Sequence, residues 1–320
     1  MVSTVDQTTI HSYADIYHQL YSDSPPGDVT YGESEADIFS QGRGFMDGFD
    51  LTMQVQVGCP GGCFYCFVKE GSVLAPQAVK GYKGRRWGFV VRNKGNVPQK
   101  FSRRLEKGKL ADKTIYWSGV TDAYAAPPIV THAIWQRLAD AAVELRPRRM
   151  VVQTRFKPDR DVDLMKHYCE GTSPSDNGSP VVVSFSMGTD RTDLIRAWER
   201  ATPPYELRMK SIRTLREAGI FVVATLSPFG LWNDLESTLR QLKSWGVAYI
   251  TVLFFKEHTR YANTPEEFLQ YLRGPYPILL DPNWQEEQVQ KIVEIYGKNR
   301  VLVGQAGFQS LARPHEVWTQ

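Results

Sequence analysis

Gly58–Phe67 reads GCPGGCFYCF and holds three of the four cysteines in the chain: Cys59, Cys63 and Cys66. The fourth, Cys169, stands 103 positions beyond Cys66. A structural zinc site normally takes four ligands in short-spaced pairs. Here three thiols cluster with no histidine beside them and no second pair. Three thiolates suit three irons of a cubane iron–sulfur cluster, leaving the fourth iron open to chelate a small molecule. On the bare pattern, zinc and a chance cluster remain open. Pro60, Gly61 and Gly62 let the backbone wrap closely, since glycine has no Cβ to clash with inorganic sulfide.

Outward from this loop the chain alternates strand and helix patterns. Leu51–Val57 (LTMQVQV) alternates apolar and polar residues and predicts the strand that leads into the loop. β-rich runs follow at Ile115–Trp117, Met150–Gln153, Val181–Phe185, Ile220–Leu226 and Tyr249–Phe255. Between them, Ile134, Leu138, Ala141, Ala142 and Leu145 fall at helical steps, as do Leu235, Leu239 and Leu242. Gly219 and Gly246 sit where helices should stop. Six strands alternating with helices predict a parallel α/β arrangement, with ligands at the carboxyl ends of the strands.

The chain of 320 residues is 42% apolar and 23% charged, which excludes a disordered scaffold and a disulfide-stapled miniprotein. No apolar run is long enough to span a membrane. The N-terminus lacks a basic-then-apolar signal pattern, so a cytoplasmic protein with reduced thiols is expected. Residues 1–45, with SDSPPGDVTYGESE, read as an irregular, partly mobile extension. Residues 46–280 form the barrel, and 281–320 a closing segment with a helix at Trp284–Tyr296 and a strand at Val301–Val303. Gly171–Pro180 (GTSPSDNGSP) reads as a polar loop. The net charge is +3, but Lys69–Lys113 holds 13 basic and 3 acidic residues, so this insertion carries +10 and the remainder −7. Such a stretch can bind phosphates or an acidic peptide, or simply be a solvated face.

Small polar groups recur at the strand ends. Ser118, Gly119 and Thr121 follow the second strand, where Asp122 could pair with an ammonium. Thr154 and Arg155 follow the third, where the guanidinium could fork onto a carboxylate. Ser184 and Ser186 share one face of the fourth, and Ser227 and Pro228 follow the fifth. Taken singly, each has a bland role as a cap, turn or surface pair. Their recurrence at successive strand ends is the signal.

C-x3-C-x2-C with Tyr65 before the last cysteine resembles the signature of the radical S-adenosylmethionine superfamily. From about Gly58 to Asp234, through the threonine–aspartate pair after strand two and ERATPPYELRMKSIRTLREAGI after strand four, the chain resembles the spore photoproduct lyase-like branch. The resemblance implies an incomplete (β/α)6 TIM-like barrel and one 4Fe–4S cluster on Cys59, Cys63 and Cys66. It also implies S-adenosylmethionine on the open iron, cleaved by one electron to a 5′-deoxyadenosyl radical. On the same grounds Tyr65 borders the adenine, Thr121 the methionyl end, Arg155 the carboxylate and Ser184 the ribose. From their places at the strand ends alone, Ser186 could also hydrogen-bond the ribose, and Ser227 with Pro228 could border the adenine pocket.

Two positions depart from the branch. The lyases close their cycle with a cysteine just before the threonine–aspartate position and a tyrosine just after the third cluster cysteine. Val120 and Phe67 stand there, and neither readily donates a hydrogen atom. The expected function is therefore hydrogen abstraction from a peptide or small-protein substrate. By analogy this would be peptide maturation, with a splicease-type tyramine excision as one form. A small accessory protein and an external one-electron reductant are expected partners. A nucleic-acid enzyme using Lys69–Lys113 ranks second, and a catalytically silent binding module last. Tyr82, Trp87, Tyr124 and Tyr261 could hold a peptide, though core packing is the simpler role for each. Cys169 reads as a small buried hydrophobe and His167 as a surface helix residue.

Overall fold

The computed structural model describes residues 11–71, 74–170, 179–257 and 263–312. Eleven strands among them are labelled in chain order. These are β1 (Thr30–Ser34), β2 (Phe39–Gln41), β3 (Leu51–Met53), β4 (Gln56–Val57), β5 (Val90–Lys94) and β6 (Thr114–Trp117), followed by β7 (Arg149–Thr154), β8 (Val181–Ser186), β9 (Phe221–Leu226), β10 (Tyr249–Val252) and β11 (Val301–Val303). The main sheet has the order β11-β10-β9-β8-β7-β6-β3-β2. All its pairings are parallel except β2 with β3. The expected parallel α/β architecture is therefore present, in a sheet of eight strands rather than six. The order is linear, so the two edge strands do not pair.

Alternate residues of these strands face opposite ways, and the two faces bury different things. Met150 and Val152, Val181 and Val183, and Val222 and Ala224 pack outward against the surrounding helices, joined by Leu138, Ile212, Leu239 and Ile292. Tyr116, Val151, Val182, Val223 and Tyr249 form an inner apolar layer with Phe308 and Leu311. Two residues further along, the inward positions become Ser118, Gln153, Ser184 and Thr225. The interior thus turns polar toward the carboxyl ends.

Several boundaries were legible. Helices Pro128–Asp140, Leu235–Ser244 and Pro282–Tyr296 lie where periodicity predicts them, although the first stops at Asp140 and leaves Val143–Leu145 as a 3-10 turn. Gly219 and Gly246 take φ values of +80° and +77° just past their helices, a conformation glycine adopts without a Cβ penalty. Most of the Gly171–Pro180 loop lies outside the described residues.

Two expectations need correction. Leu51–Val57 is not one strand: β3 pairs with β6 in the main sheet, whereas β4 pairs antiparallel with β5 in a second sheet of order β1-β5-β4. The chain leaves the main sheet at Gln54, whose N–H bonds to Ile38 O at 2.8 Å. Gln54 and Gln56 are buried, so the alternation there does not mark a solvated face. Nor are residues 11–45 irregular. Ser12 and Asp15 form a reciprocal capping box that starts the helix Tyr13–Tyr21, and β1 and β2 follow. That helix packs its aromatic face on the cysteine loop, with Tyr13 stacked on Phe64 at 4.4 Å and Tyr17 edge-on to Phe89 at 5.5 Å.

The basic insertion is built into the fold through β5 and the helix Val97–Glu106. At the other end of the chain, the Gln305 and Gln309 amides donate to Gly44 O at 3.2 and 3.1 Å. Phe308 packs 4.8 Å from Phe45. The segment after β11 thereby bridges the open side of the sheet. No helix among the described residues is long and apolar enough to cross a membrane.

Candidate active site

The cysteine loop is held from two sides. From the N-terminal helix, the Tyr13 hydroxyl donates to Gly62 O at 2.8 Å. From the turn after β8 and the helix Thr192–Trp198, Arg200 N–H donates to Gly61 O at 2.8 Å. Its guanidinium reaches Pro60 O at 2.9 Å, and Phe64 N–H bonds to Trp198 O at 3.0 Å. The ERATPP run thus serves as a clamp on the loop.

Cys59, Cys63 and Cys66 line one end of a cavity whose walls are the carboxyl ends of β6 to β10. A Cβ on Gly61 would lie 3.4 Å from Cys59 Sγ and 3.6 Å from Cys63 Sγ, so its absence keeps the space between two thiols clear. Burial pushes all three thiols up, Cys63 to about 12 even with the Arg155 guanidinium beside it. Buried thiols of this kind become thiolates only when a metal takes the proton's place. Among the described residues, no three His, Cys, Asp or Glu side chains converge on a single-ion site. Thiolates that each bind a separate iron of a cubane have no need to converge. Three cysteines from one loop at this end of the cavity are a donor set that fits three irons of a cubane cluster.

Arg155 enters from the end of β7. Its Nη1 lies 3.7 Å from Cys63 Sγ and 3.0 Å from Glu199 Oε1, and it donates to the Tyr65 hydroxyl, which in turn donates to Glu199. Glu199 also accepts from Arg208 Nη2 at 2.5 Å. Burial alone would raise the Glu199 carboxyl, but the guanidiniums of Arg208 and Arg155 outweigh it and hold Glu199 near 2. Glu199 thereby fixes the Arg155 guanidinium beside Cys63, with Arg208 held on its other carboxylate oxygen.

Of the expected site residues, Tyr65, Gly119, Thr121, Asp122, Arg155, Ser186 and Ser227 line the cavity, as do Ser118 and Pro228. Thr121 donates to Gln54 Oε1 at 2.9 Å. Asp122, on the cavity wall, already accepts three hydrogen bonds within the chain. They come from Thr154 Oγ1 at 2.6 Å, Arg155 N–H at 2.8 Å and Tyr124 N–H at 2.9 Å, and so tie β7 to the turn after β6. Thr154 and Ser184 are fully buried and do not line the cavity. Thr154 is spent on Asp122, and Ser184 exchanges a hydrogen bond with Thr225 at 2.6 Å, one tier below Ser186. Ser118 adopts φ +77°, and its buried hydroxyl has no hydrogen-bond partner among the described residues.

Sequence reading missed Glu199, Arg208, Gln153 and Lys256. Glu199 and Arg208 lie inside ERATPPYELRM, yet nothing in their spacing marks them. Gln153 lies on the inward face of β7, accepting from Tyr116 and donating to Ser186. Val120 and Phe67 both line the cavity. Cys169 packs against the outer core, away from the cavity, and His167 pairs with Glu170 at the surface. Trp87 and Tyr124 are buried, while Tyr261 lies outside the described residues.

The solved structures carry the comparison further. A spore photoproduct lyase complexed with dinucleoside spore photoproduct matches at TM-score 0.54 and 12% identity, over 92% of this chain and 86% of that one. The chain has the spore photoproduct lyase fold. A lyase variant with bound AdoMet and dinucleoside spore photoproduct matches at TM-score 0.54 and 13% identity with the same coverage. A further lyase variant matches at 0.53 and 13%, over 95% of this chain and 88% of that one. No protein-family model and no curated protein matches the sequence. The lyase fold accounts for the parallel sheet and the cavity at its carboxyl end.

Proposed function

We propose that this protein is a radical S-adenosylmethionine enzyme that takes a hydrogen atom from a peptide or small-protein substrate. One observation carries the reading. Three thiols, a buried guanidinium and the polar ends of successive parallel strands share a single cavity. When bound, a 4Fe–4S cluster and S-adenosylmethionine supply an electron and a cleavable sulfonium, the source of a 5′-deoxyadenosyl radical.

The chain's own part is to hold and shield. Cys59, Cys63 and Cys66 would ligate three irons. Arg155, fixed by Glu199, offers a guanidinium to a carboxylate. The unpartnered Ser118 hydroxyl, with Ser186 and Ser227, offers hydrogen bonds to hydroxyls or ring nitrogens. Phe45, Met46, Phe67, Val120, Phe156 and Phe254 line the rest with apolar surface that excludes water. Val120 and Phe67 supply neither thiol nor phenol where the lyases have them, which favours a different way of closing the cycle. Peptide maturation fits that difference, with tyramine excision of the splicease type as one form. An external reductant and a small accessory protein would complete the system in a cytoplasm that keeps thiols reduced.

A second reading, a nucleic-acid enzyme, is favoured by the fold shared with a lyase complexed with a dinucleoside photoproduct. Deuterium transfer into 5′-deoxyadenosine separates the two. Transfer from labelled precursor peptides supports the first, and transfer from ultraviolet-damaged DNA alone supports the second.

A further inference from the structure

Far along the basic insertion, the helix Val97–Glu106 carries Lys100, Arg103 and Arg104, and Lys107 follows as its C-cap. Positions i, i+3, i+4 and i+7 fall on one face, so four like charges are stacked where helices ordinarily avoid them. They line a pocket of about 330 Å³ together with Lys109, Glu35 and Asp37. The two carboxylates do not balance the set. Asp37 is taken by Arg104 at 2.5 Å, and its backbone carbonyl by Lys94. Burial, with Lys100 nearby, pushes the Lys94 ammonium down to about 8 despite Asp37. Lys100 Nζ is buried and has no hydrogen-bond partner, and Arg103, Lys107 and Lys109 make no ion pair among the described residues. A buried ammonium without an acceptor is unfavourable as it stands. An anion seated in the pocket would remove that penalty.

We propose that this pocket is a binding site for a phosphate group, separate from the cysteine cavity and independent of the radical chemistry. A phosphate dianion offers acceptors in several directions at once, which suits donors converging from one helix face and from Lys109. A lone carboxylate would meet fewer of them.

The test is calorimetric titration of the full chain with inorganic pyrophosphate at low ionic strength. Pyrophosphate should bind near one per chain, and Lys100→Met should weaken it by about tenfold or more, the loss expected for a charge-assisted hydrogen bond. Arg103→Ala and Lys107→Ala alter exposed side chains that should leave folding intact, and each should weaken binding severalfold. A short oligodeoxythymidine identifies the source of the phosphate. Binding lost in the same variants means a nucleic-acid backbone, and its absence beside pyrophosphate binding means a small phosphate ester. Failure of pyrophosphate to bind, binding unchanged in all three variants, or binding of a poly-Glu peptide in its place would overturn the proposal.

Discussion

Arg155 reaches Glu199 across 3.0 Å, joining the carboxyl end of β7 to the turn after the helix that follows β8. The pair is nearly buried, with 18% and 6% of the two side chains exposed, and it sits directly against Cys63. Arg208, completely buried, completes the arrangement from the other carboxylate oxygen. The position of the guanidinium beside Cys63 therefore depends on a carboxylate contributed by a different part of the chain.

Replacing Glu199 with Gln leaves two buried guanidiniums without their anion. The variant should lose about 3–5 kcal/mol of stability, the usual penalty for breaking a buried pair from one side. Denaturant titration of the metal-free protein checks this, and a loss below about 1 kcal/mol would show the pair to be solvated.

The same carboxylate sets an acid limit. Its folded value near 2 lies below the unfolded value of 4.5. The stability it contributes is present above 4.5 and is lost as pH falls toward 2. The wild-type protein should lose stability steeply over that window, and Glu199→Gln should show a flatter curve. Parallel curves would remove Glu199 as the source.

Ser118 offers a prediction of opposite sign. Its left-handed backbone, φ +77°, disfavours any residue with a Cβ, and its buried hydroxyl lacks a partner. Ser118→Gly should raise the stability of the ligand-free protein by up to about 1 kcal/mol while weakening S-adenosylmethionine binding. If thermal stability falls and affinity is unchanged, Ser118 belongs to the scaffold and not to the ligand site.

Arg155→Ala should weaken S-adenosylmethionine binding by about 1.5–3 kcal/mol, the range for a hydrogen bond to a charged group, with Arg155→Lys keeping part of it. Anaerobic equilibrium binding measures this, and unchanged affinity in both would take Arg155 out of the site.

Much of this was legible in the sequence, for physical reasons. The thiol triplet and the strand-end polar residues are local signals, and inward or outward facing follows from a two-residue period, as Ser184 and Ser186 show. Depth is another matter. That Ser186 lines the cavity while Ser184 lies a tier below depends on register with β9, which periodicity does not contain. Glu199 meets Tyr65 across 134 positions and Gln153 meets Tyr116 across 37, and no short window of sequence spans such contacts. Leu51–Val57 misled because both faces of the segment are buried.

The most direct measurement is iron content and reductive cleavage in one anaerobically reconstituted preparation. The account predicts about four irons per chain and 5′-deoxyadenosine formed from S-adenosylmethionine when a reductant is added. Both should be lost when Cys59, Cys63 or Cys66 becomes Ala and retained in Cys169→Ala. Zinc in place of iron, or iron kept by the triple Ala variant, would contradict it.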